Sequence, residues 1–288
     1  MIHSNADTPG SRDCGRFFLD VVGRFAPEQM NVQWTGDPRT SNEEVDALIE
    51  QTWDREKTLA DQTQRRLFNG SLCRLVQASP SPDQLSLTLG AVSYKEFVGT
   101  NLTNAYLRHI HGPDVLADAL GVSAAVVSAD GFLVLGRRSK KVAYHGGRIH
   151  PIGGIVEPAG AGQPAPHPAE AMTNELREEL CITPEQIDAI ECIALVRDKH
   201  IVQPELVFDV TVSADVAEMI SGAREAKDSM EHAEIVPVRH HPASVVTFIE
   251  NHAAQLTPVA LATLLVHGLH VWGSGWFAST RGYLRSWF

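Results

Sequence analysis

The stretch Gly153–Ile182, GGIVEPAGAGQPAPHPAEAMTNELREELCI, decides how the rest of the chain is interpreted. Glu175, Glu178 and Glu179 stand in it at positions i, i+3 and i+4, so a helix projects all three carboxylates from one face. Like charges at this spacing repel, but a divalent cation among the oxygens makes the cluster favourable. A solvated acidic face is the alternative. The pair Gly153–Gly154, at a predicted strand end before the loop that leads to this helix, favours the cation site.

The same stretch resembles the signature of the Nudix hydrolases, G-x5-E-x7-R-E-U-x-E-E-x-G-U, in which U is aliphatic. Gly154, the glutamates of the ELREE run and Ile182 match it. Asn174 replaces the arginine, Cys181 the late glycine and Pro166 the first glutamate, and the loop after Gly154 is longer than the signature allows. Because the metal-binding glutamates are retained, the resemblance implies that they hold Mg²⁺, or alternatively Mn²⁺. It also implies that a carbonyl of the glycine pair is a further ligand.

A second motif, SYKEFVGTN at Ser93–Asn101, lies between a predicted strand and a predicted helix. Taken alone, it fits a capped helix entry. It also resembles a run, S-Y-x-x-F-x-G-T-N, that the UDP-glucose and UDP-galactose pyrophosphatases carry ahead of their Nudix fold. The two motifs occur here in the same order, and the resemblance covers roughly residues 40–210. It implies that Tyr94 stacks on the uracil, and that Thr100 and Asn101 belong to the substrate-binding region.

The densest basic run of this acidic chain, Arg137-Arg138-Ser139-Lys140-Lys141, follows a predicted hairpin that turns at Asp130-Gly131. Guanidinium groups match phosphate oxygens, so the run is a candidate clamp for a diphosphate. A charged edge strand that discourages aggregation is the alternative. In the subgroup that the chain resembles, an arginine at the position of Arg138 contacts the substrate. We therefore favour Arg138 over Arg137 and keep both as candidates.

One more carboxylate is expected outside the helix, because Nudix enzymes often supply one as a metal ligand or as the base. Glu205 begins the predicted strand Leu206–Val212 and is the main candidate, with Glu157 and Glu170 as alternatives. A single glutamate at a strand end is more commonly an exposed residue without a function.

Composition narrows the class of protein. The 288 residues carry 24 Lys and Arg against 35 Asp and Glu, a net charge of −11, which argues against nucleic acid as a partner. The four cysteines are scattered, which fits a reducing cytoplasm better than a disulfide framework or a zinc site. The first residues lack the pattern of a secretory leader. Val259–Trp272 is too short to span a bilayer and is predicted to be a buried helix, so no membrane partner is expected.

Hydrophobic spacing and turn residues predict the remaining elements. A capping box at Ser41 is expected to open a helix that ends near Leu59, and the acidic helix is expected to run from His167 to Cys181. Adjacent His240 and His241 are expected in a polar loop. The other predicted strands are Phe17–Phe25, Leu72–Leu75, Leu85–Val92, Val122–Ser128, Phe132–Gly136, Ile193–Arg197 and Glu234–Val238, and the other helices are Ser213–Ile220, Ala243–His252 and one capped at Thr257.

These features predict an α/β protein. Residues 116–288 are expected to form a Nudix α/β/α sandwich with a mixed sheet, and residues 1–115 a smaller α+β region that selects the substrate. The resemblance implies metal-dependent hydrolysis of UDP-glucose or UDP-galactose to UMP and a sugar 1-phosphate. Three alternatives stay open: a Nudix pyrophosphatase for ADP-ribose or another nucleoside diphosphate derivative, a nucleotide-sugar-binding protein without catalysis, and an interaction protein that uses its apolar C-terminal helix.

Overall fold

A computed structural model describes residues 12–64, 67–140, 144–158, 167–226 and 232–284. Pro166 and Lys141 lie outside these ranges. The strands are β1 Arg12–Asp13, β2 Phe17–Phe25, β3 Met30–Trp34, β4 Ser71–Pro80, β5 Leu85–Ser93, β6 Gly121–Val127, β7 Phe132–Arg138, β8 Ile149–Ile155, β9 Ile187–Asp198, β10 Pro204–Val212 and β11 His232–Arg239. The α-helices are α1 Glu43–Thr63, α2 Tyr94–Phe97, α3 Arg108–His111, α4 Pro168–Leu180, α5 Val216–Glu225, α6 Pro242–His252 and α7 Pro258–Tyr283.

The main sheet has the strand order β1-β2-β9-β10-β6-β8-β7-β11, with an additional pairing of β6 with β7. β10 runs parallel to β6 and the other pairs are antiparallel, so the sheet is mixed. One face packs on α4 and α5 through residues such as Leu176 and Met219. The other face packs on α6 and α7 through residues such as Ile249 and Leu264. The predicted α/β fold with a mixed sheet between helices is confirmed.

A second, smaller sheet has the order β3-β5-β4. Its apolar residues Leu85 and Leu87 share one core with Leu176 of α4. β4 is also tied to the main body, because Cys73 donates to the carbonyl of Val156 and accepts from the N–H of Leu120, each at 2.8 Å. Strand β2 precedes the small sheet in the chain but lies in the main sheet, next to β9. The division of the chain at residues 115 and 116 stays a prediction.

The ends of α1 and α4 show where local sequence is decisive. Asn42, and not Ser41, caps α1, because its side-chain oxygen accepts from the N–H groups of Glu44 and Val45 at 3.1 and 3.2 Å. The predicted cap at Ser41 is therefore wrong by one residue, and α1 extends beyond the predicted end to Thr63. The predicted bounds of α4 are confirmed, with His167 as the N-cap and Cys181 in the left-handed conformation (φ 57°) at its end.

The C-terminal helix α7 supports one face of the sheet. Its N-terminal half, from Val259 to Gly268, is buried, as predicted. Thr257 caps it through a hydrogen bond from the N–H of Ala260 at 3.1 Å, and Gly273 (φ 89°) interrupts the helical backbone. Within the described ranges, no helix has the length and apolarity needed to cross a membrane.

Candidate active site

Two carboxylates of α4 lie against the glycine pair of β8. Glu179 is 2% exposed, and its Oε2 accepts the N–H of Gly153 at 3.2 Å. The carboxylate of Glu175 lies directly beside Gly154, where an added Cβ would stand 2.4 Å from Oε1. A side chain at position 154 would therefore displace Glu175. The glycine pair lets the helix bring both acidic groups to the end of the strand.

Glu178 completes the predicted acidic group but does not close a cage with the other two. Its Oε1 lies 3.8 Å from Nη2 of Arg177, and its side chain is 30% exposed. No three His, Cys, Asp or Glu side chains of the described ranges surround a point that a metal ion could occupy. Mg²⁺ usually takes only one or two protein carboxylates and completes its shell with phosphate and water. The hard oxygens of Glu175, Glu179 and the glycine carbonyls fit that requirement, and the assignment of all three glutamates as ligands stays a prediction.

Glu205 lies at the start of β10 and is buried, with 8% of its side chain exposed. It pairs in register with Gly121 of β6, whose missing side chain leaves room for the carboxyl group. Burial raises the pKa of Glu205 to about 7, although Ser123 and the charge of Arg138 act in the opposite direction. A carboxyl group with this pKa exchanges its proton near neutral pH. The expectation that a strand-end glutamate is exposed does not hold here.

His150 is the nearest titratable neighbour that the sequence did not indicate. Its Nε2 lies 3.9 Å from Oε1 of Glu205, and its Nδ1 lies 2.8 Å from Oγ1 of Thr257 at the start of α7. Burial, followed by the charge of Arg138, holds the pKa of His150 well below its usual range, so the ring is neutral. Nothing in the sequence indicated that His150 lies beside Glu205, since His150 belongs to no spacing motif and its other partner, Thr257, is distant in the chain.

The two arginines of the basic run have different surroundings. Arg137 is bound on the surface, because Nε donates to Glu234 at 2.9 Å and Nη1 donates to Gln255 at 3.0 Å. Arg138 is close enough to Glu205 and His150 for its charge to lower the pKa of both. Its buried Nε has no hydrogen-bond partner within the described part of the chain. Arg138 is thus the arginine with an unused donor near the buried carboxyl group, and the substrate contact stays a prediction.

Thr100 and Asn101 are fully buried and use their polar groups within the protein. Oγ1 of Thr100 accepts the N–H of Ala117 at 3.0 Å. Asn101 donates to the carbonyl of Ile201 at 2.9 Å and accepts the N–H of Asp118 at 2.9 Å. Thr100 fastens the segment before β6, and Asn101 fastens both that segment and the turn before β10. This arrangement gives them a structural role, and their contact with substrate stays a prediction.

Tyr94 begins α2 beside an aromatic pair. Its ring centroid lies 6.2 Å from that of Trp53 and 6.4 Å from that of Phe97. The ring is partly buried on an apolar cluster that Ile155 also joins, one residue after Gly154. Tyr94 is therefore connected by packing to the strand that carries the glycine pair. The contacts that Tyr94 makes within the chain do not test its stacking on a base, which stays a prediction.

Comparison with solved structures finds distant likenesses. One is DR0079 from Deinococcus radiodurans, with a TM-score of 0.36 and 18% identity over 52% of this chain and 81% of that one. Another is the MutT protein from Methanosarcina mazei Go1, with a TM-score of 0.29 and 18% identity over 58% of this chain and 93% of that one.

Comparison with protein families and curated proteins gives a sharper result. No family model matches the chain. Uridine diphosphate glucose pyrophosphatase NUDT22 is 47% identical over 92 residues in Mus musculus, covering 29% of this chain and 30% of the relative. It is 38% identical over 125 residues in Homo sapiens, covering 41% and 40%. The chain thus spans less than half the length of the curated relatives it matches. The resemblance to UDP-glucose pyrophosphatases that the two motifs predicted is nevertheless confirmed over the aligned part.

Proposed function

We propose that the protein is a metal-dependent Nudix hydrolase that cleaves the diphosphate bond of a nucleotide sugar, UDP-glucose or UDP-galactose, to give UMP and a hexose 1-phosphate. The observation that carries the chemistry is the placement of the Glu175 and Glu179 carboxylates against Gly153 and Gly154. The uridine and the hexose rest on the similarity to the proteins named uridine diphosphate glucose pyrophosphatase.

The residues that would hold Mg²⁺ or Mn²⁺ are Glu175, Glu178 and Glu179, together with a carbonyl of the glycine pair. When bound, the metal neutralises phosphate charge and lowers the pKa of a water. The buried Nε of Arg138 supports the same assignment, because a donor that has no partner within the described residues can bind a diphosphate oxygen through a charge-assisted hydrogen bond.

We assign Glu205 as the general base, the group that accepts the proton of the attacking water. A general base works best when its pKa lies near the working pH, and burial raises the pKa of Glu205 to about 7. The neutral ring of His150 lies beside this carboxyl group without adding a positive charge that would make it a weaker base. Thr257 fixes the ring from the start of α7.

Product analysis after incubation with a panel of nucleotide sugars tests the function. UDP-glucose, UDP-galactose, ADP-glucose and ADP-ribose are each incubated with Mg²⁺, and the nucleotide and sugar products are separated and quantified. We expect UMP and hexose 1-phosphate from the uridine compounds, and no product when EDTA removes the metal. Preference for ADP-ribose would favour the other Nudix activity, and binding without turnover would favour a non-catalytic protein. Either result contradicts the proposal.

Tyr94→Ala tests whether the N-terminal region selects the base. Stacking on an aromatic ring contributes about 1–3 kcal/mol per base, or about 5- to 150-fold in affinity. We expect KM for UDP-glucose to rise within that range and kcat to change less, because a contact with the base is similar in ground and transition states. Trp53→Ala, which disrupts the same aromatic cluster, is the control for lost packing. A lower thermal midpoint with unchanged KM would show that Tyr94 only anchors α2.

We also propose a cytoplasmic location. Cys14, Cys73 and Cys192 are free thiols buried in the core and Cys181 is a free thiol on the surface, and free thiols are typical of proteins in a reducing compartment. Burial raises the pKa of both Cys73 and Cys192 to about 12, which keeps these thiols protonated and unreactive. Fractionation of cells that express the tagged chain tests the location, and recovery outside the cytoplasmic fraction would contradict it.

A further inference from the structure

His232, the first residue of β11, lies beside the carboxylate of Glu179. Its Nε2 is 3.2 Å from Oε2 of Glu179, and the two side chains are 7% and 2% exposed. The same oxygen accepts the N–H of Gly153 at 3.2 Å. Oε2 is therefore approached both by the glycine backbone of β8 and by an imidazole from the edge strand of the main sheet.

The backbone around His232 directs the ring toward Glu179. The ring occupies the space above Gly136 of β7, where an added Cβ would stand 2.2 Å from Nδ1. β11 pairs His232 with Arg138 and then shifts register before Glu234. A bulge of this kind re-aims a side chain at the edge of a sheet. The missing side chain at Gly136 and the irregular pairing together place the imidazole over the interior.

Packing alone does not account for a histidine at this position. Neither ring nitrogen of His232 makes an aligned hydrogen bond within the part of the chain that the structure describes. A buried polar group without a partner destabilises the folded state. Nε2 lies at hydrogen-bond distance, 3.2 Å, from Oε2 of Glu179, so this carboxylate is the acceptor that an Nε2–H hydrogen bond would reach. The neutral tautomer suffices for this bond, since it carries one N–H donor.

We propose that His232 is a positioning residue, whose Nε2–H holds the Glu179 carboxylate in the orientation that binds the divalent cation. The proposal rests on the proposed function for the metal-binding role of Glu179. Groups outside the coordination sphere that orient a ligand commonly matter as much as a ligand does. An enzyme that binds its metal through Glu179 would therefore depend on an edge strand that is distant in sequence from the acidic helix.

The position of Asn174 supports this assignment. The Nudix signature has an arginine there, and asparagine offers only a neutral amide donor, which makes weaker hydrogen bonds to a carboxylate than a guanidinium does. Asn174 is exposed and lines an open cleft of about 570 Å³ between α4 and the segments that hold Pro27 and Ile190. Glu179 is buried on the sheet side of the same helix. Within the described ranges the fold brings the His232 side chain to Glu179, where it can donate in place of the missing arginine.

Binding of Mn²⁺ to the nucleotide-free protein, followed by calorimetry, tests the proposal without relying on activity. We expect His232→Leu to weaken Mn²⁺ binding about 10- to 100-fold, the usual range for a group that orients a ligand. His232→Gln retains an N–H donor of similar reach and should recover most of the affinity. His111→Leu is the matched control, because it removes a histidine whose Nε2 lies 3.4 Å from a carboxylate oxygen of Glu44 in another part of the fold.

Thermal midpoints and a second variant separate positioning from structure. His232→Leu removes the proposed hydrogen bond to a buried carboxylate, so we expect a modest fall in its midpoint while the protein stays folded at the temperature of the Mn²⁺ titration. His232→Asn keeps polarity but shortens the reach, and should weaken Mn²⁺ binding as leucine does. Equal Mn²⁺ affinity in the wild type and in these two variants would overturn the proposal.

The two proposals fail in different ways. A wild-type protein that hydrolyses no nucleotide sugar, but binds Mn²⁺ less tightly after His232→Leu, would overturn the proposed function and support the positioning role. A wild type that cleaves UDP-glucose, with His232→Leu unchanged in Mn²⁺ affinity and in the Mg²⁺ dependence of its rate, would support the function and overturn the positioning role.

Discussion

Glu179→Gln is expected to lower kcat/KM for UDP-glucose about a thousandfold while the protein stays folded. Glutamine has the shape of glutamate and retains an oxygen for the N–H of Gly153, which lies 3.2 Å from Oε2. It lacks the negative charge that a divalent cation requires of a ligand. Metal-ion catalysis contributes several kcal/mol to the transition state, and about 4 kcal/mol corresponds to this loss of rate. Steady-state kinetics at saturating Mg²⁺, with the thermal midpoint measured on the same preparation, checks the result.

Two further variants frame this measurement. Glu178→Gln should cause a similar loss, because the signature pairs Glu178 with Glu179. Glu225→Gln, at an exposed position on α5, removes the same charge elsewhere and should leave the rate unchanged. Near-normal rates in both the Glu178 and the Glu179 variant would show that the metal assignment is wrong.

Glu205→Gln is expected to remove most of the activity and, at alkaline pH, to stabilise the protein. An amide cannot accept the proton of the attacking water, and general base catalysis contributes about 100- to 10,000-fold. In the wild type, kcat/KM should fall with decreasing pH below about 7, as the carboxyl group becomes protonated. The pH–rate profile of the wild type and the residual rate of the variant together check the role.

The effect on stability follows from the raised pKa of Glu205. A carboxyl group of this kind contributes stability that is present below its ordinary pKa of 4.5 and is lost as the pH rises through about 7. Because glutamine does not titrate, the variant should gain less than about 1 kcal/mol at pH 5 and about 3 kcal/mol at pH 8. Urea unfolding at the two pH values measures this difference.

Glu191→Gln is the control for Glu205→Gln. Glu191 lies on the neighbouring strand β9 and pairs with the half-exposed Arg24, so its loss should produce neither the activity change nor the alkaline gain. An inactive Glu205→Gln protein that is no more stable than the wild type at pH 8 would contradict the burial of an ionised carboxyl group. A fully active one would exclude the role as a base.

Local sequence predicted the parts of the site that one helix and one strand determine. His167 and Pro168 begin α4 and Cys181 ends it, as capping preferences indicate. The spacing of the ELREE run places Glu175 and Glu179 toward the glycine pair, because both face the same side of the helix. The periodicity of a helix fixes which of its side chains share a face, so this part of the site could be predicted without knowledge of distant residues.

Long-range packing determined what the sequence did not reveal. His232 reaches Glu179 only because β11 folds back on the sheet, and His150 of β8 comes near Glu205 of β10 because both strands flank β6. No spacing in the chain encodes either approach. Nor did the sequence reveal that the Asn101 amide is buried and donates to the carbonyl of Ile201, a hundred residues away. Burial also reversed the expectation for Glu205, since a strand end is exposed or buried according to what packs over it.

The position of β2 in the main sheet has a consequence for how the chain matures. Phe17 pairs with Asp198, so β2 leaves the ribosome long before its partner β9 exists. At a translation rate of about 5–20 residues per second, the wait is on the order of ten seconds. During that time the apolar side chains of Phe17, Leu19 and Val21 have no sheet to cover them. A nascent chain that stalls before β9 is complete therefore exposes an unpaired apolar strand, which is prone to aggregate. We expect chaperones to be needed most during this interval.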